Sequence, residues 1–202
     1  SIAAEHDAFR GVAGSFDKTF NGIRAALKEG LRVTLGCVVT HDTLRTKGVM
    51  GLLDIAEKFR TMMYLILPVP AGRWAKRDDI MLTADDLEFI TGLTKRYRYV
   101  RTDFQANLGG YGCGAIKEIL YITPYGDVLP CPFLHISIGN IREEPLASIR
   151  ERGLTNRYFA AYHDKCLAST DADFMKKFLS RTFVSDKLPL EWGEVFGRQD
   201  NV

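Results

Sequence analysis

Neither sign of charge dominates this sequence: 27 Lys and Arg stand against 25 Asp and Glu, and a net charge of +2 leaves no electrostatic footprint for nucleic acid. No apolar run approaches the roughly 20 residues that a membrane-spanning helix needs, and no charged-then-apolar leader opens the chain as given. Cysteine is scarce as well. Four in 202 residues, with no secretory leader beside them, read as metal ligands or free thiols and not as a disulfide framework. The expectation is a cytoplasmic chain with neither nucleic-acid nor membrane partners. What is present, 46% hydrophobic and 26% charged residues, suits one large or two small globular domains.

The most informative stretch runs from Gly112 to Asn140, GCGAIKEILYITPYGDVLPCPFLHISIGN. Ile119, Tyr121 and Thr123 alternate with Leu120, Ile122 and Pro124 at strand spacing. Thr123-Pro124-Tyr125-Gly126 then offers Pro at the second turn position and Gly at the fourth, and Asp127-Val128-Leu129 can return as a second strand. A hairpin folded there brings Cys113 and Cys131 back toward one end. Soft thiolates held close together in a reduced chain are first of all ligands for zinc or iron. Gly112 and Gly114 leave the backbone beside Cys113 free to wrap a bulky group, and Gly126 permits positive φ in the turn. Gly139-Asn140 reads as a tight turn, and Asp127 as a turn-stabilising carboxylate.

Written out, the pattern is Cys113, twelve residues, Gly126, four residues, Cys131 and then Pro132. This arrangement, with the phrases ITPYGDVLPCP and SIGNIREEPLASI, resembles the SPASM and twitch auxiliary-cluster domains that follow the barrel of many radical S-adenosylmethionine enzymes. The resemblance covers the whole chain loosely and residues 107–150 closely. A full SPASM pattern continues with a dense group of further cysteines, whereas only Cys166 follows here, which points to the shortened, single-cluster twitch version. The resemblance therefore implies that Cys113, Cys131 and Cys166 hold one auxiliary [4Fe-4S] cluster, with its fourth iron open or bound by a non-cysteine group.

The text before the hairpin alternates helix and strand. Residues 1–14 look like the end of a strand running through a loop into a helix in which Phe16, Phe20, Ile23, Ala26 and Leu27 share one face. Ser15 can cap that helix and Gly30 can close it. A strand follows at Leu31–Thr40, a helix from about Lys47 to Arg60, and the apolar run Met62–Val69, which suits a strand buried on both faces of a parallel sheet. PAGRWAKRDD is loop-like; Thr83 with Asp86 three residues on caps a helix from Ala84 to Arg96 that buries Leu87, Ile90 and Leu93. Tyr97–Phe104 reads as a strand leading through QANLGG into the cysteine hairpin. Beyond Asn140, helices are expected at Pro145–Arg152, Asn156–Tyr162 and Asp171–Leu179, with an irregular end.

Repeated α/β units imply parallel strands, whose carboxyl ends carry ligand sites. The resemblance makes the expectation specific: an α/β fold in which residues 1–95 are the second half of a partial (β/α)6, TIM-like barrel. Residues 96–202 are then a small α+β SPASM/twitch domain with a β-hairpin and helices. Ser1 is expected at the end of the fourth barrel strand and Arg73 after the sixth, so that both approach S-adenosylmethionine. The CxxxCxxC loop for a radical-generating [4Fe-4S] cluster is absent, which implies a fragment, inactive alone, of a parent enzyme that uses S-adenosylmethionine and that second cluster. Its expected partners are the missing N-terminal half of the barrel, a flavodoxin- or ferredoxin-type electron donor, and a peptide or small-molecule substrate. The implied role is peptide or protein modification, or the building of a haem-like cofactor, with the auxiliary cluster binding substrate or relaying an electron. The alternative is a structural zinc module without redox chemistry, in which Cys113, Cys131, Cys166 and His163 form a Cys3His site. Cys37, inside VTLGCVVT, reads as core packing, and His6, His41 and His135 as solvated side chains.

Overall fold

The computed structural model describes residues 2–104 and 112–202, which group into two compact units: Ser1–Pro68 with Asp79–Asp103, and Val69–Asp78 with Phe104–Val202. Ser1 and the QANLGG approach to the hairpin lie outside the described residues.

The first unit runs α1 (Ile2–Arg10), α2 (Ser15–Lys28), β1 (Thr34–Val38), α3 (Lys47–Phe59), β2 (Met62–Ile66), α4 (Ala84–Arg96) and β3 (Val100–Thr102). The strand-and-loop expectation for the opening residues gives way to the helix α1. Its reason is Asp7, whose carboxylate accepts from the N–H groups of Gly14 (2.6 Å) and Phe16 (2.8 Å) and from the Ser15 hydroxyl (2.9 Å). The cap of α2 thus comes from the preceding helix and not from Ser15, which is itself the first helical residue. Glu5 of α1 acts similarly, accepting from Gly48 N–H at 2.7 Å and placing a carboxylate at the positive end of α3. On α2 the five predicted apolar positions are the partly buried ones, together with Ser15, while the rest of the helix is exposed.

All three strands are parallel in the order β1-β2-β3, as the α/β alternation requires. The register pairs Leu35 with Met63, Cys37 with Leu65, Met63 with Val100 and Leu65 with Thr102, so these side chains share one face. That face is the buried one, and with Leu53, Ala56, Ile90 and Leu93 it supplies the unit's apolar interior. Each fully buried Leu or Met there contributes about 1.5–3 kcal/mol. The other face is more open than a strand buried on both sides would be: Tyr64 is 37% exposed, and Gly36 and Thr34 are exposed. Helix α4 carries the expected capping box, and its Asp86 is buried while accepting from Thr83, His41 and Arg45.

The second unit is built from much shorter pieces: β4 (Tyr121–Ile122), β5 (Asp127–Leu129), β6 (Ile136–Ser137), β7 (Gly139–Asn140), α5 (Leu146–Leu154), α6 (Ala172–Lys177), β8 (Leu190–Glu191) and α7 (Trp192–Val195). The hairpin forms as read, with Tyr121 opposite Leu129 and Ile122 opposite Val128. Gly126 adopts φ 96 in the turn, where Thr123 accepts its N–H at 3.0 Å. Asp127 does bind the turn, accepting from the Thr123 hydroxyl (3.1 Å) and Asn140 Nδ2 (3.0 Å). Gly139-Asn140 is a third strand antiparallel to β5, and the chain turns only after it.

Two helix expectations change. Residues 156–162 form turns, because Arg157 N–H donates to Asp200 O (2.8 Å) and Tyr158 N–H to Asn156 Oδ1 (3.0 Å), which takes those donors from a helical ladder. The predicted Asp171–Leu179 helix is α6 followed by a 3-10 turn at Leu179–Phe183. The C-terminal stretch is ordered: β8 pairs in parallel with β6, and Trp192 and Phe196 join Phe159, Phe174 and Phe178 in an aromatic cluster.

Candidate metal centre

Cys113, Cys131 and Cys166 are all buried and all belong to one apolar core, that of the second unit. None is in a disulfide. Cys113 is fixed by a backbone bridge: its N–H donates to His163 O at 2.6 Å, and the two residues pair antiparallel. Gly112 makes this approach feasible, since it sits at φ 78 and a Cβ on it would stand 2.8 Å from the same oxygen. The bridge ties the first cysteine to the segment that leads into the third.

The second and third cysteines each open a tight turn. Cys131 follows β5 and Pro130, and its carbonyl accepts from Leu134 N–H at 3.3 Å. The Cys166 N–H is held by Thr170 Oγ1 at 3.0 Å, and its carbonyl accepts from Ser169, Thr170 and Asp171. Burial pushes the Cys131 thiol up to about 11 and the Cys166 thiol up to about 12. Neighbouring negative charge at Cys113 raises both further. A bound cation offsets what burial costs a thiolate.

In chemistry the donor set suits an iron–sulfur cluster held by three cysteines: the thiols are soft, unbridged and buried in one core. Among the described residues, no group of three or more His, Cys, Asp and Glu side chains is assembled for a metal ion. His163 makes a poor fourth ligand for zinc. Its Nδ1 lies 2.9 Å from Asp164 Oδ1 and its Nε2 2.7 Å from Asp171 Oδ2, so both ring nitrogens are engaged.

The remaining candidates stand elsewhere. Cys37 lies mid-strand in the first unit, is pushed up to about 11 by burial, and its sulfur contacts Val38 O at 3.7 Å. Cys37 and His6 line an apolar cavity of about 480 Å3 in that unit. His41 Nδ1 is held by buried Asp86 at 2.7 Å, a contact between residues 45 apart that sequence reading missed. His135 lends its carbonyl to Leu190 N–H at 3.0 Å. Arg73 is exposed on a short 3-10 turn, Gly72–Trp74, within a segment that groups with the second unit.

Comparison with known families bears on the same segment. Residues 113–168 match the SPASM model, described as an iron-sulfur cluster-binding domain. The chain resembles radical S-adenosylmethionine enzymes with a SPASM domain. It is 26% identical over 197 residues to the AdoMet-dependent heme synthase of Nitratidesulfovibrio vulgaris, covering 81% of this chain and 53% of that protein. A heme synthase of the same description from Methanosarcina barkeri is 25% identical over 179 residues, covering 74% and 50%. The antilisterial bacteriocin subtilosin biosynthesis protein AlbA of Bacillus subtilis is 25% identical over 167 residues, covering 77% and 36%. The chain thus spans about half the length of the heme synthases it matches. No solved structure matches it at the same stringency.

Proposed function

We propose that this chain is the part of a radical S-adenosylmethionine enzyme that carries an auxiliary [4Fe-4S] cluster, with Cys113, Cys131 and Cys166 as its protein ligands. The observation that carries the reading is the set of three buried, unbridged cysteines in one core, the first tied to His163 shortly before the third by a backbone bridge. The bound cluster supplies either an open iron for substrate or a one-electron relay. The protein's own part is to hold three thiolates in fixed orientation and exclude water from them.

In the same reading the parallel sheet of the first unit is half of the partial barrel that receives S-adenosylmethionine. A preceding half-barrel supplies the radical-generating cluster, and a flavodoxin or ferredoxin supplies the electron. Substrates are peptides, proteins or haem-like tetrapyrrole precursors. The names of the relatives support both classes, one set by haem synthesis and one by bacteriocin maturation.

The test is anaerobic purification with reconstitution, followed by iron, sulfide and zinc analysis. A brown protein containing iron and sulfide in equal amounts is expected. A colourless protein with stoichiometric zinc and no sulfide would instead support the structural-zinc alternative.

A further inference from the structure

The loop that leaves the carboxyl end of β1 is tied to the start of α4 through one buried carboxylate. Asp86, in the first turn of α4, is 1% exposed and has both oxygens engaged. Its Oδ2 accepts from Thr83 N–H (2.9 Å), from the Thr83 hydroxyl (2.9 Å) and from His41 Nδ1 (2.7 Å), while Oδ1 accepts from Arg45. The Thr83 contacts belong to the helix cap and are local. The two cations come from 45 and 41 residues away, and the cap does not require them.

The loop that carries them is itself held in shape. Thr40 N–H donates to the Thr43 hydroxyl at 2.9 Å, Leu44 N–H to Thr40 O at 3.0 Å and His41 N–H to Ile80 O at 3.1 Å. The Arg45 guanidinium lies 4.7 Å from the centre of the Phe89 ring and donates to Asp85 O at 3.3 Å. The His41 side chain is 48% exposed, within reach of solvent protons. Burial pushes the Asp86 carboxyl up, but Arg45, His41 and Thr83 outweigh it and hold the group well below the usual carboxylate range. Asp86 is therefore an acceptor throughout neutral pH. The proton shared with His41 belongs to Nδ1, and the one that His41 gains or loses is on Nε2. The charged residues on the elements that meet His41 are Asp42 and Arg45 on its own loop, Asp85 and Asp86 on α4, and Asp79 beside Ile80. Asp86 raises the His41 pKa, burial and Arg45 oppose it, and Asp42 adds to it.

We propose that His41 and Asp86 form a pH-sensitive latch: the imidazolium fastens the loop after β1 to the first turn of α4, and loss of the Nε2 proton loosens it. A charge-assisted hydrogen bond is roughly twice as strong as a neutral one, so deprotonation leaves the Nδ1 contact in place but weakens it. With its pKa raised on folding, His41 contributes stability that is complete below the unfolded value of about 6.5 and is lost as pH rises through the folded value. The fastened loop borders the carboxyl end of the parallel sheet, the end at which such sheets bind ligands. The latch lies within the first unit and does not depend on the cysteines of the second.

The test uses the full 202-residue chain as wild type, His41→Gln and Asp86→Asn. Proton NMR follows the four histidines between about pH 5 and 9, and the His41 signal is the one missing from His41→Gln. Hydrogen exchange of residues 40–46, corrected for the intrinsic effect of pH, is measured over the same range. In wild type the His41 midpoint should lie above the value of about 6.5 for an unperturbed histidine, and exchange of the loop should quicken roughly threefold or more across that titration. His41→Gln should show no such step, and Asp86→Asn should return the His41 midpoint toward the ordinary value. If Asp86→Asn fails to fold, the wild-type titration and His41→Gln decide the matter by themselves. A wild-type midpoint at or below the ordinary value would overturn the latch. So would loop exchange that stays unchanged through the titration, an equal step in His41→Gln, or an unmoved midpoint in a folded Asp86→Asn.

Discussion

Cys37 and Cys131 are both thiols pushed up to about 11 by burial, yet they occupy opposite kinds of structure. Cys37 sits inside a five-residue strand whose neighbours continue a parallel ladder, and its sulfur contacts a carbonyl. Cys131 sits in a turn after a three-residue strand, and its carbonyl accepts Leu134 N–H across that turn. The same contrast separates the two units. The first is held by a ladder and an aliphatic layer that need no ligand. The second has strands of two or three residues, which organise little by themselves, around an apolar core that includes three thiols.

The sharpest way to break this comparison is to remove the sulfurs one at a time. Cys131→Ala and Cys166→Ala should lose most of the bound iron after reconstitution. Cys37→Ala should keep it and cost only about 1 kcal/mol of packing, read from chemical denaturation. Equal iron loss from all three would erase the distinction between the units.

Next in size is the aromatic cluster of the second unit. Phe174 is 2% exposed and meets Tyr158 and Phe178 at ring-centroid distances of 5.1 and 5.0 Å. Phe174→Ala should destabilise that unit by about 3–5 kcal/mol, seen as a lower denaturation midpoint of the metal-loaded chain. Phe20→Ala, on the half-buried face of α2, should cost clearly less.

A smaller effect is expected at the cap of α4. Thr83→Ala removes an acceptor for Asp86 N–H and should cost the first unit about 1 kcal/mol. The iron content should not change. A Thr83→Ala variant that loses iron would mean that the two units are not energetically separate.

The smallest effect is in pH. The N–H of Phe16, with the Ser15 hydroxyl and the N–H of Gly14, holds Asp7 down at about 2. A depressed carboxyl contributes stability that is present above its unfolded pKa of about 3.9. That contribution is lost as pH falls toward about 2. Urea midpoints measured across this window should fall less steeply in Asp7→Asn than in wild type, and identical slopes would remove Asp7 from the account.

How much was legible in the sequence follows the same division. Helices α2, α3 and α4 could be read because their apolar spacing and the Thr83–Asp86 box are local. Parallel strands followed from the helix–strand alternation, and the hairpin from Pro124 and Gly126. Helix α1 was missed because the contacts that tie it down, Asp7 to Phe16 and Glu5 to Gly48, reach beyond the helix itself. Residues 156–162 were misread for a similar reason, since their N–H partner Asp200 lies near the C-terminus. The cysteine spacing was visible, but the backbone bridge from Cys113 to His163 joins residues far apart in the chain, and no residue pattern announces it.

Anomalous diffraction from crystals of the anaerobically reconstituted protein tests the central claim most directly, with data collected at the iron and the zinc absorption edges. The account predicts a single iron-edge peak bordered by the sulfurs of Cys113, Cys131 and Cys166, with no matching zinc signal. An iron peak away from these three residues, or a zinc peak among them without iron, would contradict it.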